Sequence, residues 1–388
     1  MVSIISTRQE RGQAIAQLEG QVSRVTAYYY SVRSQTTSRQ NYSVKLTERG
    51  WSCSCPDHQF RNEKCKHIWA VEISNALRRK VSELAIISPI NAQACPKCGN
   101  SERIVKHGLR QNKYGNIQLF LCRNCGRKFT VNLGFEKMHA SPGAITSAMQ
   151  LYFSGESLRN TQKFLKLQGV NISYVSVYNW IQKYISLMQN YVEKITPAVS
   201  ETWRADELYV KVKGNPKYLF ALMDDETRFW IAQQISEKKG TSDIRPLFKN
   251  GTQIAGKKPQ VLITDGAQNF ARAFRKEFYT HRTLSPIHIR DITLDGQRHN
   301  NKMERMNGEV RDREKTMRGV KKEDSPIFKG VQIFHNFIRE HEGLEGKTPG
   351  EASGIIVKGD NKWLTLIQNA KVNETRELPL KEKLEDFV

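Results

Sequence analysis

The spacing of apolar residues changes along the chain, and each spacing predicts a different kind of element. Residues 22–32 and 42–46 are rich in β-formers and are predicted as strands. Residues 141–191 carry apolar side chains at helical spacing, and Ser173 is predicted to cap the third of their helices after a turn at 169–173. From Glu201 onward strand and helix signals alternate, which predicts a mixed α/β layer.

The alternating region has several short elements and ends in two helices. A polar, proline-free stretch predicts a helix over residues 301–318, and apolar positions at helical spacing from Ile327 to Ile338 predict an amphipathic closing helix. Asp224 and Asp225 fall in a predicted hairpin turn and are interpreted as turn formers rather than metal ligands. The other predicted strands are 217–223, 229–235, 261–264 and 286–289, and the other predicted helices are 244–248 and 270–278.

The charge of the chain indicates its class of partner. The 388 residues include 61 Lys and Arg against 39 Asp and Glu, a formal net charge of +22. A charge of this size favours a polyanionic partner, because each neutralised phosphate releases counterions. Mean hydropathy is −0.58, no apolar run is long enough to span a bilayer, and the first 20 residues lack the apolar core of a signal peptide. We therefore expect a cytoplasmic protein with no membrane partner.

One group of metal-ligand residues occupies positions 53–67. It consists of Cys53, Cys55, Cys65 and His67, preceded by predicted strands and followed by a helical run. Three thiolates and one imidazole complete a tetrahedral zinc shell, which leaves no position for water and indicates a structural site. The spacing favours His67 over the competing His58. The pattern resembles the SWIM zinc finger.

A second group pairs two Cys-x-x-Cys units. Cys95 and Cys98 form the first unit, Cys122 and Cys125 form the second, and a glycine follows each. The seven cysteines are an odd number confined to residues 53–125, which argues against a disulfide framework. The second group resembles a zinc ribbon, so two structural zinc ions are expected in total.

Three carboxylates occupy positions from which two strands and a helix can direct them to one point. Asp206 lies in a β-forming run, Asp265 follows the apolar run 261–264 and precedes a turn at Gly266, and Glu304 begins the predicted polar helix. Carboxylates so arranged can hold two divalent metals for phosphodiester displacement, and magnesium suits these oxygen ligands.

The order Asp–Asp–Glu in these contexts resembles the DDE transposases, and residues 300–319 are most similar to insertion-sequence transposases that form cointegrates. The resemblance covers residues 140 to 355 and implies an RNase H-like catalytic domain. It also implies Mg or Mn, two per catalytic site, held by Asp206, Asp265 and Glu304. In the implied reaction, water cuts one strand at each element end, and the freed 3′ hydroxyl then attacks target DNA.

The same resemblance implies the partners. They are double-stranded DNA, both transposon ends and target, and further copies of the chain in a dimer or larger assembly within a prokaryotic cell. Residues 172–180 are similar to transposase helix-turn-helix segments, so Ser176, Asn179 and Lys183 are candidates for the major groove. On the Glu304 helix and beyond it, the candidate DNA contacts are Arg311, Lys315, Arg318 and Lys321.

Some alternatives stay open in the sequence. The interval between Asp265 and Glu304 is a few residues longer than the family's usual one, and Asp291 or Asp295 would replace Glu304 if that residue proved dispensable. A non-catalytic DNA-binding descendant of a transposase and an RNase H-like nuclease without strand transfer are the rival functions. The predicted domains are a SWIM-like module (1–85), a zinc ribbon (90–135), a helix-turn-helix domain (140–195), the catalytic domain (198–355) and a C-terminal tail (356–388).

Overall fold

We describe a computed structural model of the chain. It describes residues 7–18, 20–26, 29–37, 40–47, 50–80, 85–90, 94–95, 97–112, 115–130, 133–136, 138–279, 286–290, 301–317, 319–322 and 325–377. The chain divides into two compact units. The first comprises Met1–Glu83, Ser200–Ala205 and Lys257–Asn300, and the second comprises Leu84–Val199, Asp206–Gly256 and Asn301–Val388.

The first unit begins with a helix and an antiparallel four-stranded sheet of order β1-β2-β3-β4. The elements are α1 (Arg8–Gln17), β1 (Val22–Thr26), β2 (Tyr29–Arg33), β3 (Asn41–Thr47), β4 (Gly50–Cys53), α2 (Pro56–Arg61) and α3 (Lys66–Lys80). The single strand predicted over 22–32 is wrong, because Val22 pairs with Val32 in an antiparallel hairpin. The sequence from Val22 to Val32 contains no glycine or proline that would indicate two strands instead of one.

Helix α1 was not predicted from the sequence. Thr7 caps it through a reciprocal bond pair with Glu10, and it packs closely on α3. A Cβ atom added at Gly12 would lie 2.4 Å from Cβ of Trp69, so the absence of a side chain at Gly12 permits this approach. The buried positions of α1 are Gly12 and Ile15, and a single apolar side chain with a glycine gives no periodic signal, which is why periodicity does not reveal the helix.

The remainder of the first unit contains three short parallel strand segments and a helix. The start of β9 (Thr202–Val212) pairs with β12 (Val261–Ile263), and β12 pairs in turn with β13 (Ile287–Ile289). Helix α8 (Gln268–Glu277) follows β12 and buries Phe270 and Phe274. The strands predicted over 261–264 and 286–289 and the helix predicted over 270–278 are confirmed.

The second unit begins with short strands and then a helical group. Strand β5 (Ala85–Ile87) pairs in parallel with β14 (Ile355–Val357). The antiparallel strands β6 (Ile104–Asn112), β7 (Gly115–Cys122) and β8 (Lys128–Thr130) form a three-stranded sheet. Three helices follow: α4 (Pro142–Phe153), α5 (Leu158–Leu167) and α6 (Tyr174–Val192). The predicted N-cap is confirmed, since Ser173 accepts a hydrogen bond from the backbone of Ser176.

Strand β9 continues from the first unit into the second, where it forms a hairpin with β10 (Asn215–Asp224) through Lys213 and Gly214. Strand β11 (Trp230–Ser236) then pairs antiparallel with β10. The predicted role of Asp224 is confirmed, because its carboxylate accepts hydrogen bonds from the backbone and hydroxyl of Thr227 in the turn. Helix α7 (Thr241–Ala255) packs against β11 and β10.

The last part of the second unit is mostly helical. Its elements are α9 (Asn301–Met317), α10 (Ile327–Ile333), a π-helical turn (Phe334–Ile338), a 3₁₀ turn (Glu342–Leu344), α11 (Pro349–Ala352) and α12 (Lys362–Glu377). The π-helical turn places the Asn336 amide against the backbone of Trp230, with bonds of 2.8 and 3.0 Å at a register shift in β11. Regular structure continues to Glu377, beyond residue 356 where the tail was predicted to start. Among the described residues, none of the helices combines the length and apolar content needed to cross a membrane.

Candidate active site and metal centres

Strand β4 and the start of α3 bring together the first predicted ligand group. The ligand atoms of Cys53, Cys55, Cys65 and His67 all lie within 4.8 Å of one another, and all four residues are buried. His67 Nδ1 lies 3.8 Å from Cys53 Sγ and 3.9 Å from Cys65 Sγ. Tetrahedral zinc separates its sulfur and nitrogen ligands by roughly 3.5–3.6 Å, so the donor set fits zinc and the observed spacing is within a few tenths of an ångström of the bound one.

Two further observations distinguish the members of this group. The hydrogen bond with Cys53 lowers the pKa of Cys65, which favours the thiolate form that binds a cation. The competing His58 is turned away, with Nδ1 2.7 Å from the backbone oxygen of Glu63. The structure therefore places His67, and not His58, with the cysteines.

The second predicted group is built by two matching turns. Cys95 and Cys98 face Cys122 and Cys125, with Sγ–Sγ distances of 3.5 Å for Cys95–Cys125 and 3.6 Å for Cys98–Cys122. In each turn the following glycine has a positive φ of 70° and donates its N–H to the first cysteine's carbonyl. Hydrogen bonds from Asn100 and Asn124 lower the pKa of Cys98 to about 6, which favours the thiolate that zinc requires.

Asp265 lies at the tip of β12 in the first unit, as the sequence predicted. Its Oδ1 accepts a hydrogen bond from the backbone of Ala267, 3.1 Å away, and its side chain is exposed. Gly266 turns the chain with φ +86°, and a Cβ there would lie 2.6 Å from the Arg290 carbonyl. This tight turn holds the carboxylate at the end of the strand.

Register relates this strand to β9. Within the first unit, Ile263 of β12 lies opposite Arg204 of β9 in a parallel pair. Asp206 comes two residues after Arg204 in the sequence, and Asp265 comes two residues after Ile263. Each of the two strands thus carries a carboxylate at the same step beyond the last paired residues.

Asp206 and the Glu304 helix meet within the second unit. The Asn307 side chain donates from Nδ2 to Asp206 Oδ2 over 2.8 Å. Asn307 is 2% exposed and belongs to the face of α9 that is buried. Glu304 is exposed one turn earlier on the helix, and residues three apart share a side. The contact therefore presents the side of α9 that carries Glu304 toward Asp206.

Asn307 is a site residue that sequence reasoning missed. Its Oδ1 is buried and has no hydrogen-bond partner among the described residues. The signal for it was its position three residues after Glu304, combined with a polar side chain among the apolar residues Met303, Met306 and Val310. A buried amide on such a face needs a partner, and here the partner is a carboxylate.

The candidate DNA contacts lie on α6 and on or beyond α9. On α6, Asn179 and Lys183 are exposed, and Ser176 is half-buried with its hydroxyl 3.0 Å from that of Ser173. Their separation from the core face is confirmed, since Val177, Ile181 and Tyr184 are fully buried. On and beyond α9, Arg311, Lys315 and Lys321 are exposed. Arg318, like the replacement candidates Asp291 and Asp295, lies outside the described residues.

Comparison with known proteins agrees with these features. A family model described as a DDE domain matches residues 200–341, and one described as a SWIM zinc finger matches residues 42–76. The transposase for insertion sequence-like element IS431mec of Staphylococcus aureus (strain Mu50) is 32% identical over 123 residues, 31% of this chain and 53% of that protein. The transposase for insertion sequence element IS257 in transposon Tn4003, also of S. aureus, gives the same identity and coverage.

The chain thus spans about half the length of the curated relatives it matches. Among solved structures, the HTLV-2 integrase catalytic core domain in complex with magnesium is 15% identical, covers 41% of this chain and 97% of its own, and has a TM-score of 0.29. The resemblance drawn from the sequence is confirmed: the matched DDE domain contains Asp206, Asp265 and Glu304, and the matched SWIM zinc finger contains Cys53, Cys55, Cys65 and His67.

Proposed function

We propose that this chain is a DNA transposase that cuts the 3′ ends of an insertion sequence and joins them to target DNA. The observation that carries the proposal is the Asn307–Asp206 hydrogen bond, because it joins the first carboxylate to the helix of the third inside the region that matches a DDE domain. The named relatives are transposases of insertion sequences. In this proposal residues 198–355 have the RNase H-like fold.

Asp206, Asp265 and Glu304 are the residues proposed to hold Mg or Mn, two ions per site. Their carboxylate oxygens are the hard donors that these cations prefer. Bound there, the metals would stabilise the attacking and leaving oxygens of a phosphodiester displacement. The chain's own contribution is positional: the Gly266 turn fixes Asp265, and Asn307 orients Asp206.

The remaining modules are proposed to recognise DNA. The zinc clusters, each with one structural Zn, are proposed to stabilise their modules, because metal binding that requires the folded site contributes to the free energy of folding. Asn179 and Lys183 project from α6, which is proposed as the recognition helix of a helix-turn-helix, and Ser176 flanks them. Arg311, Lys315, Arg318 and Lys321 are proposed to hold the DNA strand beside the carboxylates. Synapsis of two element ends requires at least a dimer, acting on DNA in a prokaryotic cytoplasm.

A strand-transfer assay tests the proposal. The full-length protein is incubated with Mg²⁺, a target plasmid and DNA that carries the sequences flanking its gene. Joined end-to-target products are expected from the wild type and not from Glu304→Gln, Asp206→Asn or Asp265→Asn. Two matched controls remove exposed carboxylates elsewhere, Glu345→Gln and Asp360→Asn, and both should join ends at the wild-type rate.

The two rival functions give different products in the same assay. End binding without nicks or joints indicates a non-catalytic DNA-binding protein. Nicked ends without joints indicate a nuclease that lacks strand transfer. Full joining by Glu304→Gln would remove that residue from the site and make Asp291 or Asp295 the candidate for the third carboxylate.

A further inference from the structure

A third cluster of ligand-type side chains lies in the second unit, apart from the cysteines and from Asp206. It consists of Glu309 on α9, His335 in the π-helical turn and His341 just before the 3₁₀ turn. One ligand atom from each lies within 4.8 Å of the others. His335 and His341 are 4% and 7% exposed, and their ring centroids are 4.6 Å apart. A buried group of two imidazoles and a carboxylate is chemically suited to a cation.

The hydrogen-bond pattern of His335 points the same way. One ring nitrogen, Nε2, lies 3.0 Å from the backbone oxygen of Arg228, and the other, Nδ1, lies 3.4 Å from Glu309 Oε2. Both neighbours are acceptors, and a neutral imidazole has only one proton. With Nε2–H donated to the carbonyl, the Nδ1 lone pair faces a carboxylate. A positive species between them, a second proton or a metal, is needed for a favourable contact.

Distance favours the metal. A charge-assisted hydrogen bond between nitrogen and oxygen is usually about 2.7–2.9 Å long, which is shorter than the 3.4 Å between Nδ1 and Oε2. Two ligands bound to tetrahedral zinc at about 2.0–2.1 Å are separated by roughly 3.3–3.4 Å. The spacing of His335 and Glu309 therefore matches that between two ligands of one ion.

His341 supplies an unsatisfied group at the same point. Its Nε2 is buried and has no hydrogen-bond partner among the described residues. A buried polar atom without a partner is costly, and a metal bond would satisfy it. The neighbouring cation, Arg339, contacts the other carboxylate oxygen, Glu309 Oε1, at 2.6 Å and leaves Oε2 to the histidines.

We propose that Glu309, His335 and His341 bind a divalent transition metal, zinc by the character of the donors. Two histidines and a glutamate leave a fourth position open. A cleft of about 700 Å³, lined by Glu309, His335 and Arg339 among others, adjoins the cluster and has room for a water ligand. The site is separate from the proposed catalytic carboxylates and does not depend on the proposed function.

The bound metal would fasten α9 to the segment 335–341. Glu309 lies five residues after Glu304 on the same helix, so a bond at Glu309 restrains the helix that carries the catalytic candidate. The two histidines come from an irregular part of the chain, and π-helical turns are often found at functional sites. We therefore assign the metal a positioning role for α9.

Cobalt titration of the full-length protein tests the site. Cobalt bound by cysteines shows thiolate charge-transfer absorption in the near ultraviolet, whereas cobalt held by histidine and glutamate shows only weak visible bands. An Asp265→Asn background removes one carboxylate of the proposed catalytic centre and so weakens competing cobalt binding there. We expect one thiolate-free equivalent per chain in this background, and loss of that equivalent in both His341→Gln and Glu309→Gln.

The controls separate loss of the site from loss of the fold. His58→Gln changes a histidine outside the cluster and should retain the thiolate-free equivalent. The variants should also retain the thiolate bands of the two cysteine clusters and the wild-type circular dichroism. If the parent protein binds only thiolate-coordinated cobalt, or if the third equivalent survives in both variants, the proposal is overturned and a proton links His335 to Glu309.

Discussion

Asn307 donates a hydrogen bond to Asp206 across 2.8 Å, and so joins the helix of the third carboxylate to the strand of the first. We expect Asn307→Leu, which keeps the number and branching of the side-chain heavy atoms without the amide, to cost about 1–3 kcal/mol of unfolding free energy, because the buried hydrogen bond to Asp206 Oδ2 is lost. Strand transfer should fall at least tenfold, and the Mg²⁺ concentration for half-maximal rate should rise. Urea unfolding and a Mg²⁺ titration of the joining rate measure these effects.

The metal titration distinguishes positioning from simple stability. A variant that loses stability alone, when assayed well below its melting temperature, should keep the wild-type Mg²⁺ dependence. An unchanged Mg²⁺ dependence in Asn307→Leu would contradict an orienting role for the amide.

Gly266 should be intolerant of a side chain. Alanine there would adopt φ +86° and place Cβ 2.6 Å from the Arg290 carbonyl. We expect Gly266→Ala to lose about 1–3 kcal/mol of stability and to reduce strand transfer by displacing Asp265. Gly143→Ala is the matched control, since that helical glycine has no atom within 4 Å of an added Cβ and should become slightly more stable. Thermal melts and the joining assay follow both variants, and equal melting temperatures would refute the argument.

The cysteine clusters should each hold one zinc, and the modules that contain them should unfold without it. Cys65→Ser and Cys98→Ser are expected to lose one zinc equivalent each in elemental analysis, because a three-ligand remnant binds far more weakly. The Cys65→Ser variant should also change the fluorescence of Trp51 and Trp69, which belong to the first module. His58→Ala should retain all of its zinc, since His58 faces Glu63 instead. Full zinc in Cys65→Ser would show that the four residues do not form a metal site.

The exposed cation on α6 should contact phosphate. Lys183→Gln is expected to weaken binding of element ends and to reduce the slope of log affinity against log salt by about 1. Lys358→Gln, which removes another exposed lysine outside this helix, should leave both quantities unchanged. Fluorescence anisotropy over a range of salt concentrations gives the two slopes. Identical slopes for Lys183→Gln and wild type would exclude a phosphate contact by this residue.

Much of the candidate metal-site chemistry could be predicted from the sequence because it depends on residue type and local spacing. Cys-x-Cys and Cys-x-x-Cys units fix their own turn geometry, so the two sulfur clusters follow from spacing alone. Asp265 could be assigned to a strand tip because an apolar run precedes it and a glycine follows it. The N-cap at Ser173 and the helix beginning at residue 301 were predictable for the same reason, since capping and polarity act within a few residues.

Only the tertiary structure decided the features that depend on distant partners. The local signal for Asn307, a polar residue among the apolar positions of α9, does not say what the amide binds, and its partner is visible only when α9 lies beside Asp206. The hairpin at residues 22–33 and the packing of α1 through Gly12 depend on backbone pairing and close approach, which leave no periodic signal. Glu309, His335 and His341 come from three separate elements, and their convergence follows from burial of the apolar faces around them, a global property that no short stretch of sequence encodes.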